Sequence, residues 1–173
     1  MAAAQPVQGR RPGKYRDTSL GRPYHPAVTK QDQLTVRPAL PEDEAAVRDL
    51  AANMATTFEV DRDSFHTSFH ALINAHGAFV LVADTGGRVG GYLLGFRHLA
   101  FFANGPIAWV EEIAVHEDLR RQGVGARLME GFENRARAGG ARLVALATRR
   151  AGDFYEAIGY EPSATYFRKL LTG

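Results

Sequence analysis

Trp109-Val-Glu111-Glu112-Ile113-Ala114-Val115-His-Glu-Asp-Leu-Arg120-Arg121-Gln122-Gly123-Val124-Gly125-Ala126 is the stretch that decides the reading of this sequence. An apolar strand-like run enters a short polar turn with two glycines and passes directly into a helix. The unpaired N–H groups at such a helix start converge on one point, and the helix dipole favours negative charge there. Glycine at 123 and 125 lets the backbone approach a ligand without a Cβ in the way. A phosphorylated ligand is therefore expected on this turn. The spacing matches neither the nucleotide-binding pattern Gly-x-x-x-x-Gly-Lys-Ser/Thr nor the dinucleotide pattern Gly-x-Gly-x-x-Gly.

Working outward, Val124, Leu128, Phe132 and Ala136 form one apolar helical stripe, which Gly139-Gly140 ends. Leu143–Ala147 is a continuous apolar run, expected as a central strand buried on both faces, parallel to 107–115 and reached by the crossover helix. A short helix over about 151–158 and a final strand pair, Tyr160–Pro162 and Tyr166–Leu171, follow. Upstream, Ala78–Ala83 and Val89–Phe96 read as an antiparallel hairpin around Asp84-Thr-Gly-Gly-Arg88. Asn104-Gly-Pro106 breaks the chain before the strand Ile107–Val115, after a loop whose Phe101 and Phe102 suit a lid or core. Leu34–Ala39 alternates like a half-buried strand. Pro41-Glu-Asp-Glu44 opens a helix with the stripe Val47, Leu50, Ala51 and Met54, and Asp61 or Asp63 caps a second with Phe65, Phe69, Leu72 and Ile73, ended by Gly77. The sum is an α/β domain with a mixed sheet and no internal repeat.

The 173 residues suit one domain with its own core. The absence of cysteine excludes disulfides, thiolate metal sites and a cysteine nucleophile. The longest apolar run, 78–83, is far short of the roughly 20 residues of a membrane span, and the N-terminus lacks a signal-like apolar stretch; the expectation is a cytoplasmic protein. Residues 1–33 hold six basic and two acidic side chains, whereas residues 34–173 are net −2. Residues 1–33 are thus expected to be a disordered basic arm before a domain over 34–173, which has no global positive field for nucleic acid.

Arg120, Gly123 and Gly125 resemble the Arg/Gln-x-x-Gly-x-Gly/Ala signature of the GNAT superfamily, the acyl-CoA-dependent N-acetyltransferases. The resemblance spans about residues 34–171. It includes Glu111-Glu112-Ile113-Ala114-Val115 and the block Phe154-Tyr155-Glu-Ala-Ile-Gly159-Tyr160. It implies the GNAT-type fold, a mixed central sheet with splayed parallel strands flanked by helices. It implies acetyl-CoA as co-substrate, its pyrophosphate on the amides of Arg121, Gln122, Gly123, Val124, Gly125 and Ala126, beside Arg120. It places the pantetheine arm on Ile113, Ala114 and Val115, and the thioester between 107–115 and 142–148, with the Val115 N–H facing the developing oxyanion.

Direct transfer needs a neutral amine, so a base is useful. Glu111 matches the position of a glutamate base in polyamine-type members and, by alternation, shares a face with Trp109, Ile113 and Val115; Glu112 ranks second. Tyr155 matches the family's general acid. Thr148 stands where the family often has Asn, so its contact to the cofactor is weakened. Glu59, Asp61 and Asp63 suit either helix capping or attraction of a cationic amine. Arg149 and Arg150 read as a solvated pair, with a cofactor phosphate or an anionic acceptor as the sharper role. His66 and His70 are spaced i, i+4, but with no third ligand evident in sequence they read as surface histidines, and no metal is expected. The implied acceptor is an amine of a small molecule or peptide, and family members often form homodimers. The competing reading is a non-catalytic acyl-CoA-binding or regulatory module whose basic arm reaches a partner.

Overall fold

Five strands in sequence order, β1 to β5, make one sheet in the computed structural model of the chain, which describes residues 34–55 and 57–171. Strand β1 (Leu34–Pro38) precedes a 3-10 turn, Pro41–Asp43, and helices α1 (Glu44–Met54) and α2 (Arg62–Ile73). Strands β2 (Ala78–Thr85), β3 (Val89–Ala100) and β4 (Gly105–Val115) follow as an antiparallel meander. Helix α3 (Val124–Ala138) crosses over to β5 (Val144–Leu146), which pairs parallel to β4, and α4 (Gly152–Ala157) comes last. Of the two candidate caps for α2, Asp61 is the one used: its carboxylate accepts the Ser64 N–H at 2.8 Å.

The sheet carries a core on each face. On one, the whole expected α3 stripe (Val124, Leu128, Phe132, Ala136) is buried with Leu81, Leu93, Ala108 and Val110. On the other, Val47, Leu50 and Ala51 of α1 and Phe69 of α2 pack on Val80, Val82 and Tyr92. Arg37 ties β1 to the turn before α1, donating to both Asp43 oxygens at 2.6 and 3.0 Å and to Asp84 at 3.2 Å. Burial alone would raise the Asp43 carboxyl, but the hydrogen bonds from Arg37 and from the Leu40 N–H, with Arg37's charge, hold it below the usual range.

Three expectations are corrected. Strand β5 has three residues rather than five, is half-buried rather than fully buried, and is the last strand of the described sheet. The expected strand pair over 160–171 is absent, and Tyr166, Phe167, Leu170 and Leu171 are exposed. Tyr166-Phe167-Arg168-Lys169-Leu170-Leu171 is paired rather than alternating, so no strand register places its apolar side chains on one face. Phe101 and Phe102 are neither lid nor core: they form an exposed turn at the β3–β4 tip, at the opposite end of β4 from Val115. Residues 1–33, for which a disordered arm is expected, lie outside the described residues.

Candidate active site

Strands β4 and β5 run together for only three residue pairs, Ala108–Val144, Trp109–Ala145 and Val110–Leu146, and then part. Beyond the parting lies a cleft of about 760 Å³. Its walls are residues 110–117 on one side and 146–151 on the other, with Tyr155 below and Asn53, Met54 and Thr57 at the α1 end.

The backbone of β4 changes sides within this stretch. The Pro106 carbonyl accepts from the Arg142 N–H and the Ala108 N–H donates to the Leu143 carbonyl, so even-numbered residues face β5 there. At the far end the His116 N–H donates to the Gly90 carbonyl at 2.9 Å. By the two-residue period of an antiparallel ladder, Ala114 then also faces β3, and Ile113 and Val115 face the cleft. The change of parity occurs at a β-bulge. Val110 lies opposite Gly95 and Glu112 opposite Leu94, leaving Glu111 as the extra residue. The Val115 carbonyl, on the cleft side as this requires, accepts from Arg120 Nε at 3.2 Å.

This bulge corrects two expectations. Glu111 does not share a face with Trp109, Ile113 and Val115 by simple alternation; Val110 and Ile113, three apart, pack against the same α3-side core. The Ala114 main chain is turned to β3, so strand-like hydrogen bonds to a ligand are left to Ile113 and Val115. Glu111 and Glu112 both line the cleft. Among the described residues the exposed Glu111 carboxylate has no hydrogen-bond partner, whereas Glu112 accepts a 2.8 Å bond from the Tyr92 hydroxyl. Tyr92 was missed in sequence because it reads as an ordinary core aromatic. Burial, and then the charge and hydrogen bond of Glu112, push its phenol far above the ordinary value, so it stays a donor that orients Glu112.

Tyr155 is 7% exposed and lines the cleft. Its hydroxyl has no hydrogen-bond partner among the described residues, and its side chain is part of the cleft lining. Burial raises its pKa and keeps the phenol protonated. Thr148 also lines the cleft, but its Oγ1 accepts the Ala151 N–H at 3.1 Å, at the start of α4. Arg149 and Arg150 stand on the same wall. Arg168, from the irregular C-terminal segment, donates to Thr57 Oγ1 at 3.1 Å, a contact unreadable in sequence because the two lie 111 residues apart.

Between β4 and α3 the chain forms a 3-10 turn over Glu117–Leu119, then passes Arg121 at φ +59° and Gly123 at φ +82° before α3 starts at Val124. Two nearby left-handed residues, one of them not glycine, curl the backbone into a concave turn. A Cβ at Gly123 would meet nothing within 4 Å, so that side of the turn is open. Gly125 has a different role from the one expected: its Cα face packs on Phe154, which a Cβ would approach to 3.3 Å. No acidic side chain occupies the first turn of α3, which leaves its dipole uncompensated for an anion. His66 and His70 lie on α2, outside the cleft lining, and both reach Glu44. Glu59 and Asp63 are not among the residues that line the cleft, and Asp61 is spent as the cap of α2.

Among the described residues no helix is long and apolar enough to cross a membrane. A family model described as "Acetyltransferase (GNAT) domain" matches residues 75–162, about half of the chain and both walls of the cleft. The fold is shared with an aminoglycoside acetyltransferase from an uncultured soil metagenomic sample, solved with sisomicin (TM-score 0.70, 19% identity, 83% of this chain and 100% of that one). It is shared likewise with a putative acetyltransferase from Agrobacterium tumefaciens (0.72, 21%, 79% and 99%) and with glucosamine-6-phosphate N-acetyltransferase from Arabidopsis thaliana (0.71, 17%, 80% and 99%). A 42-residue stretch is 52% identical to the tRNA(Met) cytidine acetyltransferase TmcA of Aeropyrum pernix, covering 24% of this chain and only 6% of that protein. The parted strands, the left-handed turn ahead of α3 and the family match converge, and the chain belongs to the GNAT family of acetyltransferases.

Proposed function

We propose that the protein transfers an acetyl group from acetyl-CoA to a primary amine of a small molecule or peptide, by direct attack within a ternary complex. The observation that carries this is the parting of β4 from β5 after Val110 and Leu146, with the bulge at Glu111 turning the Ile113 and Val115 main chain into the gap. Acetyl-CoA supplies the acyl group as an activated thioester. The chain's residues fit it: the amides of 121–126 with the open side of Gly123 for the pyrophosphate, and Ile113 and Val115 for the pantetheine arm.

In this reading Glu111, exposed in the cleft lining and without a hydrogen-bond partner among the described residues, takes the ammonium proton through water and leaves a neutral amine. The amine nitrogen bonds to the carbonyl carbon while the Val115 N–H stabilises the negative oxygen. As the C–S bond breaks, Tyr155 gives its phenolic proton to the leaving thiolate, and the second proton of the former amine, lost from the new amide nitrogen through water, restores the phenol. Glu112, held by Tyr92, joins Glu111 and Glu117 in giving the cleft a carboxylate side that attracts a cationic acceptor. The transferase unit is assigned to 34–173, with 1–33 as a basic extension.

The test is a thermal-shift titration with acetyl-CoA, CoA and ATP, followed by an amine panel. At about 100-fold excess over Kd specific binding adds roughly 2.7 kcal/mol, a rise of about 8 °C. Both CoA forms should give it and ATP should not. Glu111→Gln should then lower kcat at pH 7 by about tenfold or more with little change in KM for acetyl-CoA. Absence of a shift in folded protein refutes the reading.

A further inference from the structure

We propose that Glu44, His66 and His70 form a binding site for a zinc-class divalent cation that staples α1 to α2. The two histidines are one helical turn apart on α2, with ring centroids 4.5 Å apart. Both turn toward the same oxygen of Glu44, at the first turn of α1: His66 Nδ1 lies 2.9 Å and His70 Nε2 3.0 Å from Oε2. Among the described residues the three donor atoms form a group within 4.8 Å of one another. Three ligands of a tetrahedral zinc, each 2.0–2.1 Å from the ion, lie about 3.3 Å apart, so the two imidazole–carboxylate distances of 2.9 and 3.0 Å need to lengthen by only a few tenths of an ångström. Two imidazoles and one carboxylate are donors of the borderline class that zinc, cobalt and nickel prefer, and they leave a fourth position for water.

The chain spacing makes the geometry more than a surface coincidence. The i, i+4 histidines form one chelating edge, and the third ligand comes from a different helix, 22 and 26 residues away in sequence. Partial exposure of the two rings gives an ion a direct path in. The site is separate from the catalytic cleft, because Glu44 begins α1 whereas Asn53 and Met54, at its other end, line the cleft. The ion's consequence is mechanical. Fixing the start of α1 to α2 restrains how the two helices pack together on their face of the sheet.

The experiment uses the full, tag-free chain after chelator treatment. Zinc is titrated calorimetrically and by thermal shift, and Co²⁺ is added separately to read visible absorption. One equivalent of zinc should bind and raise Tm by several degrees at saturation, and Co²⁺ should give the intense visible bands of a low-coordinate N/O site. His66→Ala and His70→Ala, both at partly exposed positions, should keep the metal-free Tm and weaken binding at least about 100-fold; Glu44→Gln should weaken it at least tenfold. His98→Ala, on β3, should change nothing. No binding at millimolar zinc overturns the proposal, as does binding that survives the His66→Ala/His70→Ala double variant.

Discussion

Tyr155→Phe separates a chemical role from a packing role, because the structure makes the two predict different things. The side chain is almost fully buried among Phe154, Tyr160 and the α3-side core, yet its hydroxyl has no hydrogen-bond partner among the described residues. Removing one oxygen leaves the ring packing intact and strands no buried donor or acceptor, so stability should change by no more than about 0.5 kcal/mol. If the phenol protonates the leaving thiolate, kcat should fall about 100-fold, equivalent to about 2.7 kcal/mol of barrier, with KM for acetyl-CoA unchanged. The pH profile adds a second check. Burial raises this phenol's pKa, so its acid form persists throughout the range below pH 10, and wild-type kcat should show no alkaline decline from this group there. The assay is steady-state release of CoA thiol with an accepted amine, from pH 6 to pH 10, alongside a thermal melt. A variant within twofold of wild type refutes the general-acid role. A fall of many degrees in Tm with lost activity would show instead that the hydroxyl serves the fold.

Two further outcomes concern the scaffold. Asp43→Asn removes the charge from the Arg37 pair, and a chemical denaturation at pH 7 should show a loss of about 2 kcal/mol, discounted from a fully buried pair because Arg37 is partly exposed. The same pair sets an acid limb. The Asp43 carboxyl is lowered in the folded state, so its contribution is present above the ordinary carboxyl value near pH 4 and is lost as pH falls from there through the folded value; the Asn variant should lose less stability than wild type over that window. Gly95→Ala would place a Cβ 2.5 and 2.7 Å from the ring of fully buried Phe132 and 2.8 Å from the Trp109 carbonyl. An overpacking cost of about 3 kcal/mol, near 10 °C in Tm, should appear in a thermal melt.

The fold was legible where one physical rule governs a segment. The α3 stripe at 124, 128, 132 and 136 is buried in full because a 3.6-residue period admits one inward face. Asp61 was readable as a cap because a short carboxylate before a helix has a specific N–H to accept. Legibility failed where a segment's state depends on its partner. Leu143–Ala147 has the composition of a buried strand, but a strand is buried on both edges only if a neighbour forms, and 160–171 supplies none in the described structure. The paired pattern Tyr166-Phe167 and Leu170-Leu171 was the available warning, since alternation, not apolar content, is the signature of a strand.

The site shows the same limit at finer grain. Glycines and basic residues ahead of α3 marked a turn before that helix, and the structure adds the left-handed Arg121 that curls it together with Gly123. The side of β4 that each residue presents could not be read, because alternation assumes an unbroken ladder and one inserted residue inverts it. With the bulge at Glu111, the Val115 main chain faces the cleft, and Glu111 stands outside the register in which Glu112 pairs with Leu94. Without it, the parity set by Pro106 and Ala108 would turn the Val115 N–H into the β3 ladder and present Ala114 instead. The extra residue therefore both opens the strand to a ligand and displaces Glu111 from the regular pairing, so the proposed base and the proposed oxyanion donor have one structural cause.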